Sequence, residues 1–321
     1  MQIHRNPDSL PDFLKSVVTI GAFDGVHTGH QHVLEQLKTE ADKIGGQTVI
    51  ITFDPHPRKI IASTGSKEIR LINTPEEKIE LLDAKGIDHL VIITFTEAFS
   101  KMTAEEYVRD FLIRKFHPHT LIIGYDHRFG KDRKGDYHLL EELSGIYGYV
   151  LKEIPVHLEH SISVSSTKIR ASIATGDFET ANELLGYSFF FEGLVTQGRR
   201  LGKSIGFPTA NLLVSNKEKI IPADGVYAVD LTVSALDQQV GIPLLTSERA
   251  YKGMMNIGFR PTVDGRTRTI EVNIFDFDTD IYGCTLRVYV KKFIRPERKF
   301  ADLAALQEQL NKDRMEAMQL D

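Results

Sequence analysis

The sequence contains a single cysteine, Cys284, in 321 residues. One cysteine excludes an intrachain disulfide, a thiolate zinc cage and redox chemistry through a cysteine pair. No apolar run approaches the roughly 20 residues that cross a bilayer. The polar opening segment MQIHRNPDSLPDF also lacks the apolar stretch of a secretory signal. We therefore expect a cytoplasmic protein that does not engage a membrane.

The sequence has no excess of positive charge either: Lys and Arg total 39, Asp and Glu total 44, and the net charge is −5. This balance gives no general basic field, so we expect no nucleic-acid partner. Hydrophobic residues at 41% and charged residues at 26% are ordinary for a globular protein, which disfavours disorder and coiled coil. The length predicts two domains, since a typical domain has about 150 residues.

Histidine is absent from the second half, because all twelve histidines lie within the first 160 residues. Thr74 with Glu77, and Thr103 with Glu106, have the spacing of capping boxes that begin helices. Short β-branched runs alternate with amphipathic stretches at 17–20, 31–44, 48–53, 76–85, 90–95, 104–116, 121–123 and 137–147. This βαβα order predicts a doubly wound α/β domain with a parallel sheet.

The second half has a different pattern. Two short helices are predicted at 167–174 and 178–185, and Gly186 ends the second, so we place the domain boundary there: 1–186 and 187–321. Strands separated by turn residues follow at 189–195, 225–233, 252–257, 269–275 and 286–293, before a closing helix at 301–318. This order predicts a small antiparallel β-barrel with a C-terminal helix.

The first predicted strand runs into the string GAFDGVHTGH, residues 21–30, and a helix follows at once. Ligands of open parallel sheets bind at the carboxyl ends of strands, and a helix N-terminus favours anions. Gly21, Gly25 and Gly29 allow the backbone to approach a phosphate, while His27 and His30 can direct two imidazoles at one group of oxygens. A helix-capping loop with exposed histidines is the structural alternative.

This string resembles the His-x-Gly-His element of the nucleotidylyltransferase superfamily, and segment 23–30 is similar to the bacterial FAD synthetase branch. Segments 52–58, 124–130 and 164–170 resemble further elements of that branch. His127 departs from the phenylalanine usual in the family, which puts flavin stacking in doubt, and Ala22 stands where asparagine is commoner. Taken singly, segment 54–57 also reads as a rigid turn and segment 128–134 as a solvated charged loop.

The resemblance implies roles for individual residues. It implies binding of the ATP phosphates by Gly21, Phe23, Asp24, Gly25, Gly29, Ser165, Ser166 and Thr167. It implies stabilisation of transition-state charge by His27, His30 and Arg170. It implies flavin binding by Asp54, Pro55, His56, Pro57, Arg58, Asp126, Arg128 and Phe129.

A glycine-rich loop opens the second half, from Gly193 to Asn211, but it lacks the Walker spacing. Thr209 and Asn211 alternate along an extended segment and present two oxygen ligands to Mg²⁺ on one face. In 269–275 the same alternation separates Glu271 from the apolar residues, and a carboxylate is a natural base in a half without histidine. A generic hairpin and an exposed barrel face are the structural alternatives.

Segment 206–211, GFPTAN, resembles the signature of riboflavin kinases, and segments 224–227, 255–262, 271–276 and 293–300 are similar to that family in order and spacing. The resemblance implies phosphate binding by Gly198, Arg199, Gly202, Lys203, Gly206 and Pro208, and a magnesium site at Thr209 and Asn211. It implies flavin binding by Asn256, Arg260, Arg295 and Arg298, with Glu271 as the catalytic base. Asn273 replaces the usual histidine, from which we expect altered binding rather than lost activity.

Together the two halves resemble the bifunctional bacterial riboflavin kinase/FAD synthetase family. The resemblance implies ATP-dependent phosphorylation of riboflavin to FMN, then adenylylation of FMN to FAD with release of pyrophosphate. It implies Mg²⁺ as cofactor, ATP as co-substrate and small-molecule partners only, in a monomer or weak homo-oligomer. Two alternatives stay open on the residues alone: an enzyme with one of the two activities, and a flavin-binding regulator without turnover.

Overall fold

The structure is a computed structural model that describes residues 1–61, 69–124, 127–154, 164–198, 202, 205–234, 250–262 and 265–320, with only the backbone of 260–262 and 265–267. The chain forms two units, Met1–Ser166 and Thr167–Asp321.

The first unit is built on a six-stranded parallel sheet in the order β1-β4-β3-β2-β5-β6. Its strands are β1 (Gln2–His4), β2 (Val17–Ile20), β3 (Thr48–Asp54), β4 (His89–Thr94), β5 (Thr120–Gly124) and β6 (Val150–Ile154). The strand order reverses between β2 and β5, so the crevice at their carboxyl ends is where ligands of such sheets bind. The predicted doubly wound fold is confirmed.

Helices cover both faces of this sheet. They are α1 (Thr28–Ile44), α2 (Pro57–Ile61), α3 (Pro75–Asp83), α4 (Glu97–Ser100), α5 (Ala104–Glu106, Tyr107–Ile113 and Arg114–Phe116) and α6 (Tyr137–Tyr147). The middle part of α5 is π-helical. Capping boxes begin α3 at Thr74 and α5 at Thr103, as their sequences predict. Leu34 and Leu37 of α1 pack on one face of the sheet, and Phe111 of α5 packs on the other.

The sequence analysis missed the edge strands β1 and β6. β1 has three residues, two of them exposed, and only one residue of β6 is fully buried. Neither strand has the continuous apolar run by which the central strands were identified, because an edge position removes the need to bury both faces. Backbone pairing with β4 and β5 holds them instead.

The second unit contains α7 (Ser166–Thr175), which begins at the unit boundary, α8 (Phe178–Leu185), a barrel and α9 (Leu303–Met318). The barrel strands are β7 (Phe190–Thr196), β8 (Ala210–Leu213), β9 (Gly225–Ser234), β10 (Tyr251–Thr262), β11 (Gly265–Ile274) and β12 (Thr285–Arg295). They close in the order β10-β11-β8-β7-β12-β9, with every pair antiparallel. The predicted barrel with a C-terminal helix is confirmed. From the sequence, β8 was interpreted as part of a loop, because this strand has only four residues.

The boundary between the two units follows Ser166, about twenty residues before the predicted boundary at Gly186. The Phe178 ring of α8 is buried against Tyr227 of β9, with ring centroids 5.6 Å apart. Asn182 Nδ2 donates to Val290 O of β12 at 3.0 Å, and Asn182 Oδ1 accepts from the Phe189 amide at 2.7 Å. These contacts place α8 on the barrel.

Candidate active sites

The turn after β2 carries the first candidate site. Gly21 N donates to Ile51 O at 3.0 Å, which continues the strand pairing for one residue. The backbone then takes positive φ at Phe23 (48°), Gly25 (95°) and Val26 (36°). Positive φ is unfavourable for Phe and most of all for β-branched Val, and such strain concentrates at binding sites. The side chains of Phe23 and Val26 are buried in the core and hold these conformations in place.

His27 and His30 come together at the N-terminus of α1. His27 is the N-cap residue, and its Nδ1 accepts from the His30 amide at 3.3 Å. The two rings are stacked with centroids 3.6 Å apart, and Phe23 lies 4.9 Å from the His30 ring. A Cβ on Gly29 would lie 3.3 Å from His27 Nδ1, so Gly29 leaves room for the stack. The predicted histidine pair is therefore formed.

The His30 ring is electrostatically unusual. Burial, with the neighbouring His27 and the ammonium of Lys78, holds the pKa of His30 well below 6.5. Its Nδ1 atom is shielded from solvent and has no hydrogen-bond partner among the described residues. A buried imidazole nitrogen of this kind is a ready donor or acceptor for a ligand.

Asp24 and Ser166 support the turn. Oδ1 of the buried Asp24 accepts from the amides of Ile72 at 2.9 Å and Asn73 at 3.3 Å. Ser166 Oγ donates to Asp24 O at 2.9 Å. The Asp24 carboxylate thus ties the segment before α3 to the turn, and Ser166, the last residue of the first unit, contacts the same turn. Ser165 next to it is exposed, and Thr167 and Arg170 follow within α7.

The ends of β3 and β5 flank the turn, because both strands pair with β2. Beyond β3, His56 Nδ1 accepts from the Arg58 amide at 3.2 Å, and Asp54 and His56 line a small cavity beside Asp24. Pro55 lies between them, and Pro57 begins α2. The predicted segment 54–58 therefore lies at the same sheet edge as the histidine pair.

The segment after β5 is packed against the core of the first unit. The Phe129 ring is buried against Tyr107, 5.0 Å away, and His127 stacks on it at 5.7 Å. Arg128 Nη1 is 2.8 Å from Asp136 Oδ2. The Phe129 ring is therefore part of the core. The His127 ring is half-buried and lies on the outer side of the Phe129 ring. Asp126 lies outside the described residues.

A row of polar side chains across three barrel strands carries the second candidate site. Glu271 of β11 is directly opposite Asn256 of β10 and Asn211 of β8. Directly opposed residues point to the same face of a sheet. Thr269 Oγ1 lies 3.4 Å from Glu271 Oε1, and Glu271 is buried. The predicted base and one predicted magnesium ligand are therefore neighbours.

The glycine-rich loop approaches this row closely. A Cβ on Gly198 would lie 2.0 Å from Asn211 Nδ2, so a larger residue there would displace the Asn211 amide. Asn273 Nδ2 donates to Pro208 O at 2.6 Å, which ties β11 to the loop next to Thr209. Gly202 O accepts from the Phe207 amide, and Gly206 has φ of 80°. Arg199 and Lys203 lie outside the described residues.

A cavity of about 320 Å³ adjoins the loop. Pro208 and Thr209 form one wall, and the acidic segment 278–282 after β11 forms another. Thr209 therefore borders the cavity, and Asn211 follows it two residues later in the chain. Among the described residues there is no cluster of three or more His, Cys, Asp or Glu side chains that could hold a metal ion.

Three barrel residues that are predicted to bind flavin make contacts with α9 or with the segment that precedes it. Arg295 makes three contacts of 2.7–3.0 Å with the buried carboxylate of Asp313, and Arg298 Nη2 donates to Gln309 Oε1. Asn256 Nδ2 donates to Glu297 Oε1 at 3.3 Å. Arg295 therefore connects β12 to α9. For Arg260 only the backbone, within β10, is described.

Two residues near the sites escaped the sequence analysis. Lys78 of α3 reaches the turn after β2, and Glu297 reaches Asn256. Both lie far along the chain from the motif they contact, and an isolated Lys or Glu has no spacing signal. The helix start at Thr74 was visible, but not that the fourth residue of α3 points to the turn.

Comparisons with known proteins identify the family of each half of the chain. The FAD synthetase family model matches residues 11–168, and the riboflavin kinase model matches 185–320. The bifunctional riboflavin kinase/FMN adenylyltransferase of Escherichia coli strain K12 is 35% identical over 301 residues, which cover 94% of this chain and 91% of the relative. That of Bacillus subtilis strain 168 is 35% identical over 309 residues, covering 95% and 92%.

A solved structure is similar over the full length. A crystal structure described as a macrolide-efflux protein from Streptococcus pneumoniae has a TM-score of 0.86 and 30% identity, covering 100% of this chain and 99% of that one. In the part of this chain that the structure describes, no helix has the length and apolar character to cross a membrane. On the two family models and the curated relatives, the chain belongs to the family of bifunctional riboflavin kinases/FMN adenylyltransferases, which make FMN from riboflavin and FAD from FMN.

Proposed function

We propose that the turn 21–30 of the first unit holds the triphosphate of ATP, and that His27 and His30 stabilise charge on the phosphorus under attack. The stacked histidine pair at the N-terminus of α1 carries this proposal. Helix N-termini favour anions, and the pair supplies donors at the same point. Arg170 and the hydroxyls of Ser165, Ser166 and Thr167 complete the proposed phosphate site.

In this reaction a phosphate oxygen of FMN attacks the α-phosphorus of ATP, and pyrophosphate leaves. No covalent enzyme intermediate is needed, so the contribution of the chain is alignment and charge stabilisation. Flavin is proposed to bind at the ends of β3 and β5, with residues 54–58, Arg128 and the ring of His127, which stacks on the buried Phe129. Asp24 acts there through the backbone it holds rather than on phosphate, since a carboxylate repels phosphate.

In the barrel we propose that Glu271 accepts the proton of the riboflavin 5′-hydroxyl as this attacks the γ-phosphorus of a second ATP. Thr209 and Asn211 are the proposed ligands of Mg²⁺. One or two protein oxygens suffice for Mg²⁺, because substrate phosphates and water complete its shell. A cytoplasmic location, a monomer or weak oligomer and the absence of nucleic-acid partners stay predictions.

The proposal is tested by two reciprocal variants of the full chain. His30→Ala should lower the rate of FAD formation by about 10²-fold or more, as the loss of one charge-stabilising donor does. Glu271→Gln should lower kcat for FMN formation by roughly 10²-fold, because the amide cannot accept the proton. Chromatography of flavin products from riboflavin, FMN, ATP and Mg²⁺ measures both rates. Loss of both activities in either variant would contradict the division of labour.

The magnesium proposal has its own test. Thr209→Ala removes one proposed oxygen ligand, so the Mg²⁺ concentration for half-maximal FMN formation should rise several-fold, and excess Mg²⁺ should restore part of the rate. FAD formation from supplied FMN is the internal control and should be unchanged. An unaltered Mg²⁺ dependence of FMN formation would remove Thr209 from the metal site.

A further inference from the structure

The carbonyl groups of the turn after β2 are held by side chains from other elements. Ala22 O accepts from Lys78 Nζ of α3 at 2.8 Å and from Thr52 Oγ1 of β3 at 3.1 Å. Lys78 Nζ also lies 3.4 Å from Thr52 Oγ1, so the three groups form a closed set. Two donors on one carbonyl fix the orientation of that peptide.

The next two alternate carbonyls are held in the same way. Asp24 O accepts from Ser166 Oγ at 2.9 Å, and Val26 O accepts from Gln31 Nε2 at 3.0 Å. In a planar trans peptide the C=O and the following N–H point in opposite directions. Side chains that hold the carbonyls of residues 22, 24 and 26 therefore also set the direction of the N–H groups of residues 23, 25 and 27.

Lys78 differs from the other three donors because it carries a charge. The residue is half-buried, and burial lowers the pKa of its ammonium, while Asp24 and Asp54 act in the opposite direction. A cavity of about 20 Å³ beside it, lined by Asp24, Thr52 and Asn73, has room for one water molecule. Burying a lysine beside a backbone carbonyl is costly, and uncharged Thr52 already donates to that carbonyl.

We propose that Lys78 is a positioning residue for adenylyl transfer: it holds the Ala22 carbonyl, and with it the phosphate-binding turn, and places a positive charge behind that turn. The inference rests on the proposed assignment of the turn to the ATP triphosphate. A positive charge behind the turn favours a polyanion in front of it without occupying the space of the substrate. The same charge contributes to the low pKa of His30.

The test is Lys78→Met, which keeps the chain length but removes the donor and the charge. Misorientation of the turn should lower kcat/KM for FMN adenylylation by about 10²-fold. Riboflavin phosphorylation by the same protein should be unchanged. The pKa of His30, followed by NMR in histidine-labelled protein with His30→Ala to assign the signal, should rise, because a nearby positive charge has been removed.

Two control variants separate charge from structure. Thr52→Val removes the second donor to Ala22 O but leaves the ammonium, so adenylylation should fall only a few-fold and the pKa of His30 should not move. Lys38→Met is the matched control at an exposed position of α1, where the ammonium donates to Lys85 O, and should change neither. If Lys78→Met does not fold, Lys78→Gln is measured against the same criteria.

Adenylylation within threefold of the wild type, or an unchanged His30 titration, would overturn the role of Lys78. The result for His30→Ala keeps this outcome separate from the proposed function. If His30→Ala retains FAD formation, the assignment of the turn has failed. If His30→Ala is inactive and the Lys78 variant active, only the inference about Lys78 has failed.

Discussion

Single residues with unusual backbone or space requirements cluster around the first site. Phe23 and Val26 keep positive φ because the core encloses their side chains. Gly135 is a second example: its backbone pairs with Phe129 in both directions, at 3.0 and 3.1 Å. A Cβ on Gly135 would lie 2.4 Å from the Phe129 ring. The position of the Phe129 ring therefore depends on the absence of a side chain at residue 135.

Gly135→Ala should destabilise the first unit by about 1–3 kcal/mol, because the Phe129 ring must leave its place against Tyr107. FAD formation should fall with it, since the ring anchors the segment after β5. The matched control is Gly145→Ala in α6, where a Cβ meets nothing within 4 Å. That change should stabilise the helix by about 0.5–1 kcal/mol. Calorimetric unfolding of both variants checks the pair; equal effects would contradict the packing argument.

A histidine pair between the neighbouring strands β1 and β4 predicts acid sensitivity. His4 Nε2 and His89 Nδ1 are 3.2 Å apart beside Phe13, and His89 is buried. Burial lowers the pKa of both; for His89 the charges of His4 and the N-terminus act in the same direction, and Asp88 opposes them. Below pH 6.5 the unfolded chain then binds protons that the folded chain excludes.

The free energy of unfolding of the first unit should therefore be steady above about pH 7 and fall as the pH drops below 6.5, by at most about 1.4 kcal/mol per pH unit for each histidine. Replacing both residues, in His4→Phe/His89→Leu, should make this slope smaller and leave the contribution of His30, whose pKa burial also lowers. Calorimetric unfolding between pH 5 and 8 measures the slope. A slope identical in wild type and variant would exclude the pair as its source.

At the scale of elements, α9 is attached to the barrel by charge as well as by apolar contact. Asp313 is 1% exposed and receives the Arg295 guanidinium of β12, and Gln309 donates to the same carboxylate at 2.8 Å. Ala317 and Leu310 pack in a small apolar cluster nearby. The family resemblance implies flavin binding by Arg295, and no spacing in the sequence reveals its acidic partner 18 residues on.

Asp313→Asn should destabilise the second unit by about 3 kcal/mol, because Arg295 would be left buried without its counter-charge. Riboflavin phosphorylation should survive in the fraction that stays folded. Glu308→Ala is the control: it breaks the exposed pair of Glu308 with Lys312 on the same helix and should change stability by less than about 1 kcal/mol. Calorimetric unfolding of the two variants measures both changes in stability. Similar small losses of stability in the two variants would show that the Arg295–Asp313 pair does not stabilise the second unit.

At the scale of the whole molecule, the division into two units and the division into two activities need not fall at one residue. The structural boundary follows Ser166, while the riboflavin kinase model begins at residue 185. The helix α8 lies between these positions and packs on the barrel through Phe178 and Asn182. Thr167 and Arg170, proposed for adenylyl transfer, also follow the structural boundary.

Fragments test this arrangement. Fragment 167–321 should phosphorylate riboflavin and unfold at a higher temperature than 187–321, because removal of α8 exposes buried side chains worth roughly 2 kcal/mol each. Fragment 1–186 should convert FMN to FAD, and fragment 1–166, which lacks Arg170, should be at least about 10²-fold slower. Thermal unfolding and product chromatography measure these. Equal stability of the two barrel fragments would show that α8 adds nothing to the barrel.

The sequence by itself determined the type and order of most elements. Apolar runs with both faces buried marked β2 to β5, amphipathic stretches marked α1, α3, α5 and α6, and capping boxes marked the starts of α3 and α5. The motifs at the ends of β2 and β3 were visible for the same reason, since a strand end places whatever follows it at the sheet edge. These features depend on residues within about one helix length of each other.

Only the tertiary structure decided which distant residues meet. Lys78 contacts Ala22, His89 contacts His4, and Asp313 pairs with Arg295. No spacing pattern in the sequence predicts any of these three contacts. Each partner is selected by how a helix or strand packs, which depends on the whole core. Local periodicity specifies the elements, whereas the environment of a buried charge is a property of the assembled fold.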